Sequence, residues 1–313
     1  MSFRATIEAM SLLDDARVDG EKVVQALKAL GLADAGYTRI KGLQGSTDFV
    51  KAVIHGSRGK KRGGKARTLG VIGRLGGIGA RPEMIGLVSD GDGAVTAVAV
   101  AMKLAAMQER GDELPGDVIV ATHICPDAPT QPHEPVPFMG SPVDIGAMNK
   151  YEIDPEMDAI LSVDTTKGNR VVNHRGFAIS PTVKEGYILR VSEDLLGIMT
   201  ITTGKLPVTF PITTQDITPY GNDIYHLNSI LQPATSTNAP VVGVAITAES
   251  AVPGCATGAS HAVDIEEAVR FAVEVAKGFG AGKCSLYDEK EFARIVDLYG
   301  PMNHLQTLGR GRA

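Results

Sequence analysis

The stretch Ser89-Asp90-Gly91-Asp92-Gly93 places two carboxylates among glycines, directly before an apolar segment that runs to about Glu109. Gly93 allows the chain to turn sharply into a helix. Carboxylates at that position are stabilised by unsatisfied first-turn amides and by the macrodipole, so capping is one reading. A metal-binding aspartate on a rigid element is the other, and Asp90 stands open between them. Cys125 lies two residues after His123. A thiol near an imidazole suits a nucleophile, whereas a lone cysteine more commonly acts as a small buried hydrophobe. The run from Gly56 to Lys65 carries Arg58, Lys60, Lys61 and Arg62 among glycines. It offers cations to a phosphate but has no interleaved aromatics to stack bases, and it reads as a solvated hairpin tip. Neither Gly73–Gly79 nor Gly254–Gly258 has dinucleotide or P-loop spacing, which leaves a nucleotide cofactor without support.

Composition limits the setting. A chain of 313 residues that is 43% hydrophobic, with 36 glycines and only 5% aromatics, matches an α/β protein with many tight turns. A net charge of −5 argues against a nucleic-acid partner. Cys125, Cys255 and Cys284 are odd in number and widely spaced, which fits a reducing compartment. The first residues include the early acid Glu8 and no apolar signal core, and no apolar run reaches membrane length. A cytoplasmic protein without a membrane partner is the expectation.

The elements that must position these residues follow from periodicity. Leu12, Leu13, Val18, Val23, Val24, Leu27 and Leu30 predict a helix over about 11–32, ended by Gly31. Residues 47–54 and 68–73 read as strands joined in a hairpin through the basic turn. A helix over 93–109 precedes a strand at Asp117–Thr122 that is apolar on both faces. The proline-rich stretch Pro126–Pro142 excludes regular structure, and a loop so long suits a lid or subunit contact. Met157–Val163 reads as a strand ending at Asp164, and Pro240–Thr247 as the last strong strand. Weaker segments lie near 178–180, 188–191 and 206–212. A helix spans about Asp264 to Gly278. Alternating strands and helices predict one α/β domain over 1–313 with a mixed sheet. It divides into a helical segment (about 1–40), a core (about 41–280) and a C-terminal extension (about 281–313).

In this order the pieces resemble the di-zinc aminopeptidase and carboxypeptidase superfamily, particularly the tetrahedral and glutamyl aminopeptidases, over roughly residues 40 to 280. The segment Gly93–Leu114 followed by Pro115-Gly116-Asp117-Val118 looks like that family's helix, turn and strand. Met157–Asp164 looks like its strand ending in a metal-binding aspartate. The resemblance implies a three-layer α/β/α domain of the phosphorylase/hydrolase-like type found in zinc exopeptidases. It also implies a metal site of zinc or manganese in which Asp90 bridges and Asp164 and His261 are terminal ligands. An Asx-turn is the structural alternative for Asp164. Asp92 falls at a non-ligand position, where capping is the better reading. Gly221-Asn222-Asp223 matches a pocket element, which makes Asp223 a substrate contact. Relatives assemble through surfaces around the domain, so a homo-oligomer is expected.

The same alignment carries departures. Arg74 stands where the family has its first histidine, and an arginine cannot ligate zinc. Thr122-His123-Ile124-Cys125-Pro126-Asp127 replaces the family's Glu-Glu pair. No room remains for the usual inserted domain, either between Gly76 and Asp90 or after Asp164. Two readings result. In one, a rearranged metal site draws on Asp90, Asp164, His123 and His261, with Asp127 or Glu134 as base, and His133-Glu134 delivered by the proline-rich loop. The chain is then a peptidase-like hydrolase of peptides or amide-linked amino acids. In the other, Arg74 pairs with Asp90 or Asp164 in a metal-free pocket for a carboxylate or another small ligand. The chain is then a non-catalytic relative that binds a ligand or assembles with a partner, such as one of the bacterial families of unknown function.

Overall fold

A computed structural model describes residues 2–74, 76, 78–79, 86–132, 138–166, 168, 171–211, 229–249 and 260–307. The chain opens with α1 (Ser2–Leu13) and α2 (Gly20–Ala29), then β1 (Ala35–Gly42), β2 (Gly45–Ile54) and β3 (Leu69–Gly73). A single 3-10 turn, Ser89–Gly91, leads into α3 (Asp92–Glu109), β4 (Val118–Ile124), β5 (Thr130–Gln131), β6 (Phe138–Met139) and α4 (Ile145–Glu152). Next come β7 (Ala159–Thr165), β8 (Gly176–Ile179), β9 (Val183–Lys184), β10 (Tyr187–Ile188) and α5 (Glu193–Thr203). A 3-10 segment, Ser229–Thr235, precedes β11 (Val241–Thr247), α6 (Ala262–Gly280) and α7 (Glu289–Tyr299).

Nine strands form one mixed sheet in the order β1-β2-β4-β3-β7-β11-β9-β10, with β8 also on β11, and helices cover both faces. This is the three-layer α/β/α architecture expected. The central strands β4, β3, β7 and β11 run parallel, are buried but for Thr165, and are mostly apolar until their carboxyl ends, as interior parallel strands are. Alternation divides their side chains between two cores. Val71, Val120, Leu161 and Val244 face α1, α3 and α6. Ile72, Ile119, Ile160 and Val241 face the opposite layer, with Phe210, Ile230 and Leu231. Helix α3 lies between the sheet and both α1 and α6, so it is apolar nearly all round.

Three local expectations change. The N-terminal helix is two helices, because Asp19 caps α2 by accepting from the Lys22 amide at 2.9 Å. The hairpin joins β1 to β2 around Leu43-Gln44, and β4 lies between β2 and β3. The polar, exposed β1 suits a sheet edge, whereas the wholly buried β3 needs neighbours on both sides. The proline-rich loop is not wholly irregular: β5 and β6 pair antiparallel through non-proline positions, and α4 follows the loop. The predicted helix over 93–109 and the strands before Asp164 and over 240–247 correspond to α3, β7 and β11 within two or three residues. Among the described residues, no helix is long and apolar enough to cross a membrane.

Candidate functional site

The carboxyl ends of β4, β3 and β7 lie side by side, and there the apolar pattern gives way to charge. Gly73 pairs with Thr122 on β4 and Val163 on β7, so the following position, Arg74, falls between His123 and Asp164. The Arg74 amide continues the ladder by donating to the Val163 carbonyl at 2.7 Å. Open α/β sheets place ligands just beyond such strand ends. By strand parity Ile119, Ala121 and His123 share one face with Ile160, Ser162 and Asp164, and this is the face covered by α4 and the 229–235 segment.

One half of the site centres on Arg74, which is 0% exposed. A guanidinium removed from water requires a countercharge. Glu152, also wholly buried, supplies it at 3.2 Å, and Arg74 donates a short hydrogen bond to Asn149 Oδ1. Asn149 Nδ2 donates in turn to the Gln232 carbonyl (3.2 Å) and to the hydroxyls of Thr235 and Ser236. The second Glu152 oxygen lies 2.6 Å from His123 Nδ1. His123 Nε2 accepts from the Gly76 amide at 3.0 Å. That amide can only donate, so Nδ1 must carry the ring proton that it shares with Glu152. Both ring nitrogens are therefore engaged. Gly76 is required here, because a Cβ would lie 1.3 Å from the His123 carbonyl oxygen. Arg74 Nε and one Glu152 oxygen lack a hydrogen-bond partner, a costly state for buried polar atoms.

The other half is built around the entry to α3. Gly93 lets this entry sit directly on the strand ends: a Cβ there would lie 2.4 Å from the Arg74 carbonyl and 2.6 Å from that of Val163. Thr165 at the end of β7 donates to the Ser89 carbonyl at 2.7 Å, which draws the Asp164 and Asp90 segments together. Asp90, Asp92 and Asp164 are all buried. The Asp164 carboxylate accepts from the Thr165 amide at 2.7 Å. Asp92 accepts from the Ser260 hydroxyl at 2.5 Å, which brings the segment before α6 to the same place.

The expected site residues are thus distributed as follows. Arg74 and His123 share Glu152 at the ends of β3 and β4, Asp164 follows on β7 with its segment tied to that of Asp90, and Ser260, beside His261, bonds to Asp92. His261 itself is exposed, and its carbonyl starts α6 by accepting from Asp264 and Ile265. Asp127 is exposed on the turn after β4. Glu134, with His133, and Asp223 lie outside the described residues. Two expectations require correction. Arg74 finds its charge partner in Glu152 rather than in Asp90 or Asp164, because α4 carries Glu152 and Asn149 directly beneath the guanidinium. Asp92 does not cap α3: the N-cap is Gly91, without a side-chain cap, and the Asp92 carboxylate turns inward to Ser260. Cys125 is buried, and burial pushes its thiol up to about 12, which removes the thiolate that a nucleophile needs. Among the described residues, no three His, Cys, Asp or Glu side chains are grouped to hold a metal ion.

Glu152 and Asn149 are the residues of this site that local sequence pattern does not single out. Their spacing of three on a helix capped by Asp144 does place them on one face, a signal that the adjacent proline-rich loop obscures.

A family model described as "Protein of unknown function (DUF1177)" matches residues 38–309, and the chain belongs to that family. No curated protein matches it.

Proposed function

We propose that the strand edge around Asp90 and Asp164 is the active site of a peptidase-like hydrolase acting on peptides or amide-linked amino acids. The observation that supports this reading is that Asp90, Asp92 and Asp164 are all buried beyond the ends of otherwise apolar strands, on segments tied together by the Thr165–Ser89 and Ser260–Asp92 hydrogen bonds. Asp90 and Asp164 are oxygen donors of the kind that zinc or manganese takes, and His261 is a nitrogen donor next in sequence to Ser260, but the described residues do not bring the three into one ligand group. His123 does not fit, since neither ring nitrogen is free to coordinate. When bound, such a metal would supply an acidified water as nucleophile. Asp127 or Glu134 would serve as proton acceptor, and Arg74 and Asp223 would hold substrate.

A second reading is favoured by the Arg74–Glu152–His123 arrangement: a metal-free pocket that binds a small carboxylate ligand without turnover. One experiment separates the two. The purified chain is assayed for metal content and for hydrolysis of dipeptides and aminoacyl anilides, with and without added zinc or manganese. The hydrolase reading expects near-stoichiometric metal and turnover, both lost in Asp90→Ala and Asp164→Asn proteins that still fold. A chain that folds normally, retains no metal under supplementation and turns over none of the panel refutes it.

A further inference from the structure

The basic turn of residues 58–67 contains six cations and no acid, and the fold sorts them into two groups. Lys60 pairs with Asp158 at 2.7 Å, Arg62 with Glu113 at 2.9 Å, and Lys61 with Glu156. Arg58, Lys65 and Arg67 turn the other way and line a cleft of about 420 Å³, closed opposite by the end of α6 from Phe279 to Gly282. Arg67 is held in place. Its guanidinium donates to the Cys284 carbonyl at 2.9 Å and lies 4.3 Å from the centre of the Phe279 ring. Arg58 and Lys65 are exposed and make no ion pair or side-chain hydrogen bond among the described residues. The loop that carries them is nonetheless fixed. The buried carboxylate of Asp117 accepts from the Gly56 and Lys61 amides, and the backbone of Ala66 bonds to Arg58.

Like charges gathered on a rigid frame repel, and the carbonyls at the end of α6 offset this only weakly. Glu289 is the one carboxylate paired with a cleft cation among the described residues, at 4.0 Å from Arg67 and itself exposed. We propose that this cleft is a binding site for a phosphate-bearing small molecule, its phosphate held by Arg58, Lys65 and Arg67. The volume falls within the range of small-molecule sites, roughly 300–1,000 Å³. A tetrahedral dianion accepts simultaneously from a guanidinium fork and an ammonium, which a single carboxylate cannot do as well. Three cations are too few to follow a nucleic-acid backbone, and a preformed wall of α6 backbone favours a compact ligand. The cleft precedes β3 and the carboxylate site follows it, so the two stand at opposite ends of one strand and are independent.

The test is equilibrium dialysis of the full chain against inorganic pyrophosphate. The proposal expects saturable 1:1 binding, weakened about tenfold or more in Arg58→Ala/Lys65→Ala, with an unchanged melting temperature because neither side chain supports the loop. Glu289→Gln, which removes the nearby negative charge on an exposed position, should bind more tightly. No saturable binding by the wild-type chain, equal affinity in the double variant, or weaker binding in Glu289→Gln each overturns it.

Discussion

Arg74→Met removes the guanidinium and leaves the Glu152 carboxylate buried with His123 Nδ1–H as its remaining partner in the pair. Both charged side chains are almost wholly out of water, 1% and 0% exposed. Breaking such a pair from one side costs about 3–5 kcal/mol, since it strands a charge that cannot be solvated. His123 has no second donor to offer, because its Nε2 accepts from the Gly76 amide. Glu152→Gln strands the opposite charge and should cost a similar amount. The double variant Arg74→Met/Glu152→Gln removes both charges and retains an amide oxygen for His123 to donate to. It should therefore lie well above the sum of the single losses, with a coupling of about 2 kcal/mol or more. The chain has no tryptophan, so urea unfolding is followed by far-UV circular dichroism. Single variants within about 1 kcal/mol of wild type, or a double variant that merely adds the two losses within about 0.5 kcal/mol, would refute the view that the pair is desolvated and mutually dependent.

Two further outcomes are expected. Burial alone would raise the Asp48 carboxyl, but the bidentate Arg39 contact, the Gly20 amide and the Arg39 charge together hold it below the ordinary range. With a folded value below the unfolded value of about 3.9, its contribution is complete above that pH and is lost as pH falls through the folded value. Acid titration of unfolding free energy should accordingly show a shallower fall below about pH 4 in Asp48→Asn than in wild type, and an identical slope would count against the contact. Cys125 and Cys284 are both buried, with thiols pushed up to about 12. Near pH 8 their thiolate fraction is on the order of one part in ten thousand, so a disulfide reagent should label neither until the chain unfolds. Peptide mapping that finds Cys125 labelled in the native protein at the unfolded rate would revive the nucleophile reading.

What the sequence made legible was whatever depended on contiguous pattern. Apolar runs identify β3, β7 and β11, helical spacing identifies α6, and α3 shows as a long apolar segment after a glycine turn, because each of these is strongly buried. Pairing was not legible from neighbourhood in the chain. Residues 47–54 and 68–73 look like hairpin partners across a short turn, yet β4 inserts between them, since a wholly apolar β3 at the sheet's interior buries more than a hairpin at its edge would. The site shows the same division. Asp90 and Asp164 could be placed at strand ends from local pattern alone. The partner of Arg74 could not, because Glu152 and Asn149 lie on an eight-residue helix beyond a proline-rich loop, and only the fold brings that helix beneath β3.

That misplacement bears on the chemistry. An Arg74 opposed by Asp90 or Asp164 would take up their charge and oppose any cation at this edge. With Glu152 opposite the guanidinium, the positive charge is balanced within the β3–β4 half of the site, and the carboxylates of the β7–α3 half are not consumed in neutralising it. Within that half the Thr165 amide donates to Asp164 and the Ser260 hydroxyl to Asp92. Asp164→Asn separates a functional acid from a carboxylate that serves only as scaffold. As scaffold, the neutral amide retains the acceptor oxygen for Thr165 and should fold at nearly wild-type stability, with metal or ligand affinity unchanged. As a functional acid, it should fold equally well and lose that affinity.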